Sequence, residues 1–485
     1  LQSYFDKPAW LACMTGDFFT QFYYWVGGGA VVLTFSILIL GYFVHRAFVQ
    51  CGFRRGTYAI AVVVMTVEAV RHFGWLYTLS STYALIGGTG MFLIYCRFKD
   101  LSKIRNWIMA LILSPLTYWL FGYGCWVFVL LLFVRGIMQR RIVIPGIVLL
   151  ITIVFPLCLR GLYLLTRSEI YTYPGLGQLQ KPEWITETLF GLDCETYFNH
   201  PRQVIRMARR SGLKLPQVSY FYNLAQAEQG TLADSLLTFY QPISKGLFLD
   251  INSRSSLFNI YFGNEVFYRL GAMTLTEHAA ILASVFSPGN RNVRMVKRLA
   301  EVNMINNDTL GAMKYLRLLD CTLFYKTWAV KRMFATHSPS VSTWLDAKRR
   351  YIMKSDTIRR ADAYPMVLRG LLNANPENRM ALDYLLCGDL LNKELVGFMN
   401  DYRQYCIKRK MIETPQIYQE ALLICYSLGQ LTLDELKRCG IRSDIIHDLS
   451  EYTEIYKKNK GDGHVLQPLF GHTYWFYYHY ATYKI

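Results

Sequence analysis

Glu68, Arg71 and His72 stand at positions i, i+3 and i+4, so a helix would place all three on one face. They lie at the end of an apolar stretch, where an ionisable side chain is costly and is often retained for function. A carboxylate, an imidazole and a guanidinium together could transfer protons and bind an anion. The structural alternative is that Glu68 and Arg71 simply neutralise each other.

Asp6, Asp17 and Arg160 are expected at the same end of the molecule. Asp6 and Asp17 precede the first apolar stretch, and Arg160 ends the last one. If the protein is an enzyme acting on a lipid-linked substrate, we expect Asp6, Asp17, Glu68 and His72 to be catalytic, and Arg71 and Arg160 to bind substrate. The alternative is that Asp17 and Arg160 are ordinary residues of a membrane interface. No cofactor is expected.

Six apolar segments in residues 26–165 must position these side chains. Val26–Val44 has nineteen residues without a charge, and Ile142–Leu159 is a second clean segment. A helix rises about 1.5 Å per residue, so about 20 residues cross a bilayer core. We therefore predict a transmembrane bundle of about six helices, with soluble core helices as the alternative. The four weaker segments lie near Tyr58–Val70, Thr78–Cys96, Trp107–Leu120 and Cys125–Val134.

The loops between these segments predict the orientation. Three alternate loops carry ten Lys or Arg residues, namely Arg46, Arg54, Arg55, Arg97, Lys99, Lys103, Arg105, Arg135, Arg140 and Arg141. The intervening loops carry only Arg71. Because basic loops stay in the cytoplasm, residues 1–25 and everything after Arg160 are expected in the bacterial periplasm. Since the chain starts outside without a signal peptide, we expect its natural start to lie further upstream.

Composition limits the classes of partner. The formal net charge is +18, and half of it lies in residues 1–165, where it follows from membrane topology. The rest is spread without a dense basic run, which argues against nucleic acid and favours anionic headgroups. The eleven cysteines lack metal-ligand spacing, and we expect buried free thiols, with a disulfide pair in an oxidising compartment as the alternative.

Composition also predicts the domain organisation. Residues 1–25 are aromatic and partly amphipathic, which is typical of an external interfacial segment. Residues 26–165 form the predicted transmembrane bundle and 166–199 a linker. Residues 200–335 have short helical patterns separated by turn signals. A second helical region follows in 336–485, after a charged break near 336–365 and with an aromatic C-terminal tail.

The segment 200–335 resembles tetratricopeptide repeats. Tyr268-Arg269-Leu270-Gly271 is similar to the end of a first repeat helix, with Ala283 and Pro288 at the spacing such a repeat has. Ala283 is expected where paired helices cross closely. The resemblance implies an α-solenoid, so the predicted fold is all-α, a transmembrane bundle followed by a soluble solenoid.

Taken whole, the chain resembles a Bacteroidota inner-membrane family assigned only as a domain of unknown function. The segments Leu1–Tyr24 and Tyr220–Tyr325 carry the resemblance. It implies a polytopic membrane protein and brings no activity.

Two functions remain open. A membrane-tethered solenoid is expected to be a scaffold or assembly factor that binds envelope proteins. The layout also resembles C-class glycosyltransferases, although an adjacent Asp-Glu pair is missing. That resemblance implies Asp17 or Asp6 as general base or divalent-metal ligand, with Arg71 and Arg160 holding a polyprenyl phosphate.

Overall fold

The computed structural model describes residues 2–98, 103–140, 142–252, 254–287, 290, 292–334, 339–353, 364–408 and 414–481. All regular secondary structure in these residues is helical, so the predicted all-α fold is confirmed. The chain divides into an N-terminal unit, Leu1–Glu183, and a C-terminal unit, Trp184–Ile485. Pro288 of the expected repeat lies outside the described residues, as do Lys99, Arg141 and part of the charged segment 336–365.

The N-terminal unit contains a helix for each of the six predicted apolar segments. Three of these helices, Gly28–Cys51, Leu79–Arg97 and Val143–Tyr163, are long and apolar enough to cross a membrane. The helices of this unit are α1 (Gln2–Phe5), α2 (Trp10–Thr20), α3 (Gly28–Cys51), α4 (Thr57–Arg71), α5 (Leu79–Arg97), α6 (Lys103–Phe121), α7 (Gly124–Met138), α8 (Val143–Tyr163) and α9 (Glu169–Thr172).

Helix α5 is the central helix of this unit and packs against α2, α3, α6 and α7. Small side chains allow this close approach. A Cβ atom added at Gly88 would lie 2.1 Å from the carbonyl oxygen of Gly124, and one at Gly124 would lie 2.2 Å from that of Ala84. Both distances are far below van der Waals contact, so α5 and α7 can meet only through glycine, as in close-packed membrane helices.

Helices α3, α4 and α8 expose large apolar side chains on their outer faces. Phe35 on α3 is 62% exposed, Val63 on α4 is 62% exposed and Leu150 on α8 is 62% exposed. Soluble monomers rarely expose contiguous apolar surface of this kind. These faces therefore require an apolar environment or an apolar partner.

The termini of the N-terminal unit pack closely against its helices. Helix α2 buries Ala12 and Gly16 against α5. Residues 166–180, expected to begin a linker, are instead held to the bundle by hydrogen bonds. Tyr118 Oη donates to the carbonyl of Ile170 at 3.0 Å, and Trp126 Nε1 donates to that of Tyr171 at 3.2 Å. Burial of Ile170 explains the difference, since apolar side chains drive this segment onto the bundle.

The C-terminal unit contains nineteen α-helices among its described residues, beginning with the second half of the expected linker. They are α10 (Trp184–Tyr197), α11 (Pro201–Ser211), α12 (Pro216–Glu228), α13 (Leu232–Ser235), α14 (Leu257–Phe262), α15 (Asn264–Leu270), α16 (Met273–Val285), α17 (Val293–Ile305), α18 (Thr309–Asp320), α19 (Lys326–Met333), α20 (Pro339–Arg349), α21 (Tyr364–Ala374), α22 (Arg379–Leu391), α23 (Leu395–Tyr402), α24 (Gln416–Ser427), α25 (Leu433–Arg438), α26 (Ser443–Lys458), α27 (Gly463–Phe470) and α28 (Tyr474–Tyr480).

Consecutive helices of this unit pack against each other, from α15 through α19 and again from α21 through α23. The sequence predicts a break near 336–365, yet helices from both sides of it share one core. Helix α12 packs against α22, and α13 packs against both α22 and α24. Residues 218–227 of α12 are all buried, and the polar side chains among them, Ser219, Asn223 and Gln226, form hydrogen bonds.

Two residues of the expected repeat have the predicted environments. Gly271 ends α15 with φ +98°, a left-handed conformation that favours glycine, and an added Cβ would lie 2.4 Å from the carbonyl oxygen of Tyr351. Ala283 on α16 is completely buried in a cluster with Ala280, Met295 and Leu299. The turn and the close packing are therefore present. The tetratricopeptide assignment itself stays a prediction.

Candidate functional sites

The predicted triplet forms a buried cluster at the end of α4. Glu68 is 1% exposed, and its Oε2 lies 3.5 Å from Arg71 Nη1, while its Oε1 lies 3.9 Å from His72 Nε2. Helical spacing brings the three side chains to one face, as expected. Arg71 keeps 24% of its side chain exposed, so its guanidinium reaches the edge of the cluster.

Two hydroxyl groups that sequence reasoning missed complete this Glu68 cluster. Thr82 Oγ1 on α5 donates to Glu68 Oε1 at 2.6 Å, and Tyr77 Oη donates to the same oxygen at 2.8 Å. His72 Nε2 also lies 2.7 Å from Thr82 Oγ1. Hydrogen bonds to a carboxylate are strong when buried, so the cluster pins α4 to the start of α5.

The segment that follows α8 covers the Glu68 cluster. The backbone of Gly177 lies against the ring of Tyr77, and the side chain of Gln180 lies beside Gly74. The backbone N–H of Tyr123 donates to the carbonyl of Tyr173 at 2.9 Å. Residues 173–180 thus limit access to the cluster from this side.

Asp6, Asp17 and Arg160 do not take part in the hydrogen bonds or ion pairs that the described residues make with Glu68, Arg71 and His72. Asp6 is exposed between α1 and α2. Asp17 is exposed and accepts a hydrogen bond from Tyr4 Oη at 2.7 Å. Arg160 Nε donates to the carbonyl of Leu165 at 3.2 Å. A metal site built from Asp6 or Asp17 together with Glu68 would need these carboxylates to come together.

A second cluster, centred on Glu265 in the C-terminal unit, was not predicted. Glu265 Oε1 accepts from Arg298 Nη2 at 2.7 Å and from Arg294 Nη2 at 2.9 Å, and its Oε2 lies 3.6 Å from Arg269 Nε. Arg294 also pairs with Asp193, and Arg269 pairs with Glu228. One carboxylate therefore joins α15 and α17, and its arginines extend the network to α10 and α12.

The electrostatics of this Glu265 cluster follow from its burial. Desolvation alone would raise the pKa of Glu265, but the charges of Arg298, Arg294 and Arg269 outweigh it and hold this pKa well below its usual range. Burial, with Arg269 and Arg298 nearby, lowers the pKa of Lys348 to about 8. The carboxylates and the cationic groups here are nearly equal in number. The cluster is therefore a buried network of ion pairs that joins helices.

A sequence signal for the Glu265 cluster does exist. Glu265 and Arg269 are spaced i, i+4, as are Arg294 and Arg298, within segments that otherwise bury their side chains. Charges on a mostly buried helix need partners, which predicts an ionic contact. The identity of those partners depends on how α15, α17 and α10 pack, which the spacing does not reveal.

A small cleft in the C-terminal unit brings further polar groups together, lined by Ala233, Asp234, Leu237, Thr238, Gln416, Ile417, Glu420 and His472. Glu420 is buried and accepts from the backbone N–H of Tyr474 at 2.6 Å and from Gln416 Nε2 at 2.8 Å. Burial raises the pKa of Glu420 to about 7. Its hydrogen bonds hold α24 against α28, which is a structural role.

These features define an all-helical protein with an apolar bundle, three membrane-length helices and a second helical unit. The chain belongs to the Family of unknown function (DUF6057), whose family model matches residues 1–481. The expectation of a family of unknown function is thereby confirmed, while the Bacteroidota origin and the tetratricopeptide-like region stay predictions. No curated protein and no solved structure matches the chain significantly.

Proposed function

We propose that this protein is a membrane-anchored scaffold of the bacterial envelope. The N-terminal unit crosses the inner membrane, and the C-terminal unit acts in the periplasm as a helical-repeat domain that binds other envelope proteins. The observation that carries the membrane half of the proposal is the exposed apolar surface of α3, α4 and α8. A lipid bilayer is the solvent that such faces need.

The scaffold half is supported by the order of packing in the C-terminal unit. Helices α15 to α19 each pack on the next helix of the chain, which is typical of α-solenoids. Solenoids bind partners along extended surfaces made by successive helices. Helices that are distant in sequence also pack on each other in the core of this unit. The surface available to a partner is therefore that of its outer helices.

Helix α18 and the residues after it form a suitable outer surface. Leu310 is 84% exposed and Leu318 is 53% exposed, with exposed Lys314 between them on the helix. Leu323 is 51% exposed and Phe334 is 63% exposed. Large apolar side chains near basic ones fit a partner with an apolar patch rimmed by acidic residues.

The test is a double substitution, Leu310→Glu with Leu318→Glu, in the tagged full-length protein. After cross-linking in cells and purification, we expect a defined envelope protein to be lost from the variant at unchanged expression. The matched control is Leu428→Glu with Leu433→Glu, two leucines of similar exposure elsewhere on the unit, 51% and 50%. Identical partners for wild type and both variants would contradict the proposal.

A C-class-like glycosyltransferase is the second candidate. The observation that favours it is the buried grouping of Glu68, Arg71 and His72 beside an apolar bundle. The exposed positions of Asp6 and Asp17 weigh against it, because no second carboxylate joins Glu68 in the described cluster. The test is Glu68→Gln, Arg71→Ala or Asp17→Ala in cells. Loss of a surface glycan at normal protein level would favour the enzyme, and unchanged glycans would exclude it.

A further inference from the structure

Helix α11 has two contrasting faces. Val204 and Ala208 are completely buried against the core. The opposite face carries four exposed arginines, and exposed Lys214 follows the end of the helix; we call these five residues the α11 basic face, Arg202, Arg206, Arg209, Arg210 and Lys214. Arg202, Arg206 and Arg210 recur every four residues and so form a stripe along the helix.

The positive charge of the α11 basic face is not neutralised within its own segment of the chain. Residues 198–214 contain no Asp or Glu. None of the five basic residues forms an ion pair within the part of the chain that the structure describes. Arg209 donates a hydrogen bond to Tyr222 Oη at 3.0 Å, and Arg206 donates to Gln203 Oε1 at 3.1 Å. Four neighbouring guanidinium groups therefore repel one another unless an anionic surface covers them.

Apolar side chains lie at one end of this stripe. Helices α10 and α11 are joined by three residues and run antiparallel, with the backbone of Gly191 against the side chain of Met207. That register puts Trp184 and Ile185 at the level of the C-terminal end of α11, near Arg210 and Lys214. Trp184 is 71% exposed and Ile185 is 51% exposed. Glu183 and Glu187 flank them, and Glu195 of α10 pairs with His200, so the five basic residues keep an excess of positive charge.

We infer that the α11 basic face docks on anionic phospholipid headgroups, with Trp184 entering the interfacial layer. Arginines that match phosphate, next to an exposed tryptophan, are the chemistry of interfacial membrane binding. Trp184 begins the C-terminal unit soon after the membrane-length helix α8, so this surface is the part of the unit nearest in sequence to the bilayer. This inference rests on the membrane anchoring proposed above.

The experiment uses the full-length protein in nanodiscs of phosphatidylcholine, with or without phosphatidylglycerol, and measures arginine modification by phenylglyoxal with mass spectrometry. In the anionic nanodiscs we expect roughly fivefold slower modification of Arg202, Arg206, Arg209 and Arg210, as a contribution of ~1 kcal/mol per basic residue near an anionic surface implies. High salt should remove this protection. The internal controls are exposed Arg254 and Arg438, whose rates should not change with lipid.

A charge-reversed variant, R202E with R206E and R210E, provides the second measurement. Arg209, left in place, should lose its lipid-dependent protection in this variant. The matched control, K457E with K458E and K460E, reverses three exposed lysines on and after α26 and should keep that protection. If the charge-reversed variant fails to fold, the comparison of lipids and salt concentrations on the wild type still tests lipid docking.

The outcomes separate this inference from the proposed function. Equal modification rates in both lipids, or protection that salt does not change, would overturn lipid docking. A full-length protein that does not enter nanodiscs would instead contradict the membrane anchoring. Protection confined to the α11 arginines in anionic nanodiscs would support the inference.

Discussion

At the scale of single residues, Glu68 joins two helices through charge and hydrogen bonds. Thr82 and Tyr77 donate to one carboxylate oxygen, and Arg71 lies opposite the other. Removal of the carboxylate would leave these polar groups buried without their acceptor. Removing only the acceptor costs more folding free energy than removing the acceptor and its donors together, because donors left without a partner keep their full desolvation cost.

We therefore expect Glu68→Ala to destabilise the N-terminal unit by about 1–3 kcal/mol. Glu68→Gln should cost less, because the amide oxygen can still accept from Thr82 and Tyr77. The measurement is thermal unfolding of the full-length protein in detergent. Glu187→Ala, at an exposed glutamate, serves as the control. Equal unfolding temperatures for Glu68→Ala and this control would show that the cluster does not stabilise the fold.

Asp389 and Asp401 form a buried pair of carboxyl groups in the C-terminal unit, each 3% exposed. Arg369 binds Asp401, with Nη2 to Oδ2 at 2.9 Å and Nε to Oδ1 at 3.0 Å. Burial raises the pKa of Asp389 to about 7, and the charges of Asp401 and Glu394 add to the increase. Asp389 is therefore protonated in the folded protein over a pH range where an unfolded aspartate is ionised.

The raised pKa of Asp389 determines how the stability of the fold changes with pH. A carboxyl group whose pKa is raised on folding stabilises the fold fully below its unfolded pKa, and this contribution is lost as pH rises through about 7. Asp389→Asn removes the titration, so the variant should gain about 2 kcal/mol relative to wild type between pH 5 and pH 7. Urea unfolding at both pH values measures this gain. A stability difference that does not change with pH would contradict it.

At the scale of elements, helix α16 tests close packing in the expected repeat. Ala283 is completely buried among Ala280, Met295 and Leu299, so a larger side chain has no room. We expect Ala283→Leu to cost about 1–3 kcal/mol in urea unfolding. The matched control on the same helix is Val285→Leu, at a position that is 56% exposed, which should leave stability nearly unchanged. A neutral Ala283→Leu would show that the helices separate easily at this point.

Local patterns predicted the helices well, because apolar runs and turn residues act within a few positions along the chain. The six apolar segments are helical, and Gly271 ends a helix as its spacing suggests. Contacts between residues distant in the chain could not be predicted from these local patterns. Thr82 belongs to a predicted segment, yet its contact with Glu68 depends on how α4 and α5 cross. Residues 166–180 have the composition of a linker, and only the packed bundle reveals that Ile170 is buried against it.

The candidate sites show the same limit. Glu68, Arg71 and His72 share a helix, so their proximity follows from spacing alone. Asp17 and Arg160 were assigned to the same site because they share a predicted side of the membrane, which is a weaker constraint than a helical register. The arginines that bind Glu265 come from its own helix and from α17, so the spacing predicts charged pairs but not that Arg294 and Arg298 bind this carboxylate.

At the scale of the whole molecule, the proposed function depends on which side of the membrane each segment occupies. Basic loops resist translocation, so the strong excess of Lys and Arg in alternate loops should keep the end of α3 in the cytoplasm. An odd number of further crossings after that point would then place the C-terminal unit in the periplasm. Both the scaffold and the glycosyltransferase proposals require this orientation.

Cysteine labelling with a membrane-impermeant maleimide tests the orientation. Gln50→Cys, near the end of α3, and Asp250→Cys, in the C-terminal unit, replace exposed residues. The background needs Cys158, Cys194 and Cys321 changed to serine, because these native thiols are exposed. In spheroplasts we expect labelling of residue 250 but not of residue 50, and detergent should make both reactive. Labelling of residue 50 alone would invert the topology, place the C-terminal unit in the cytoplasm and exclude a periplasmic partner for it.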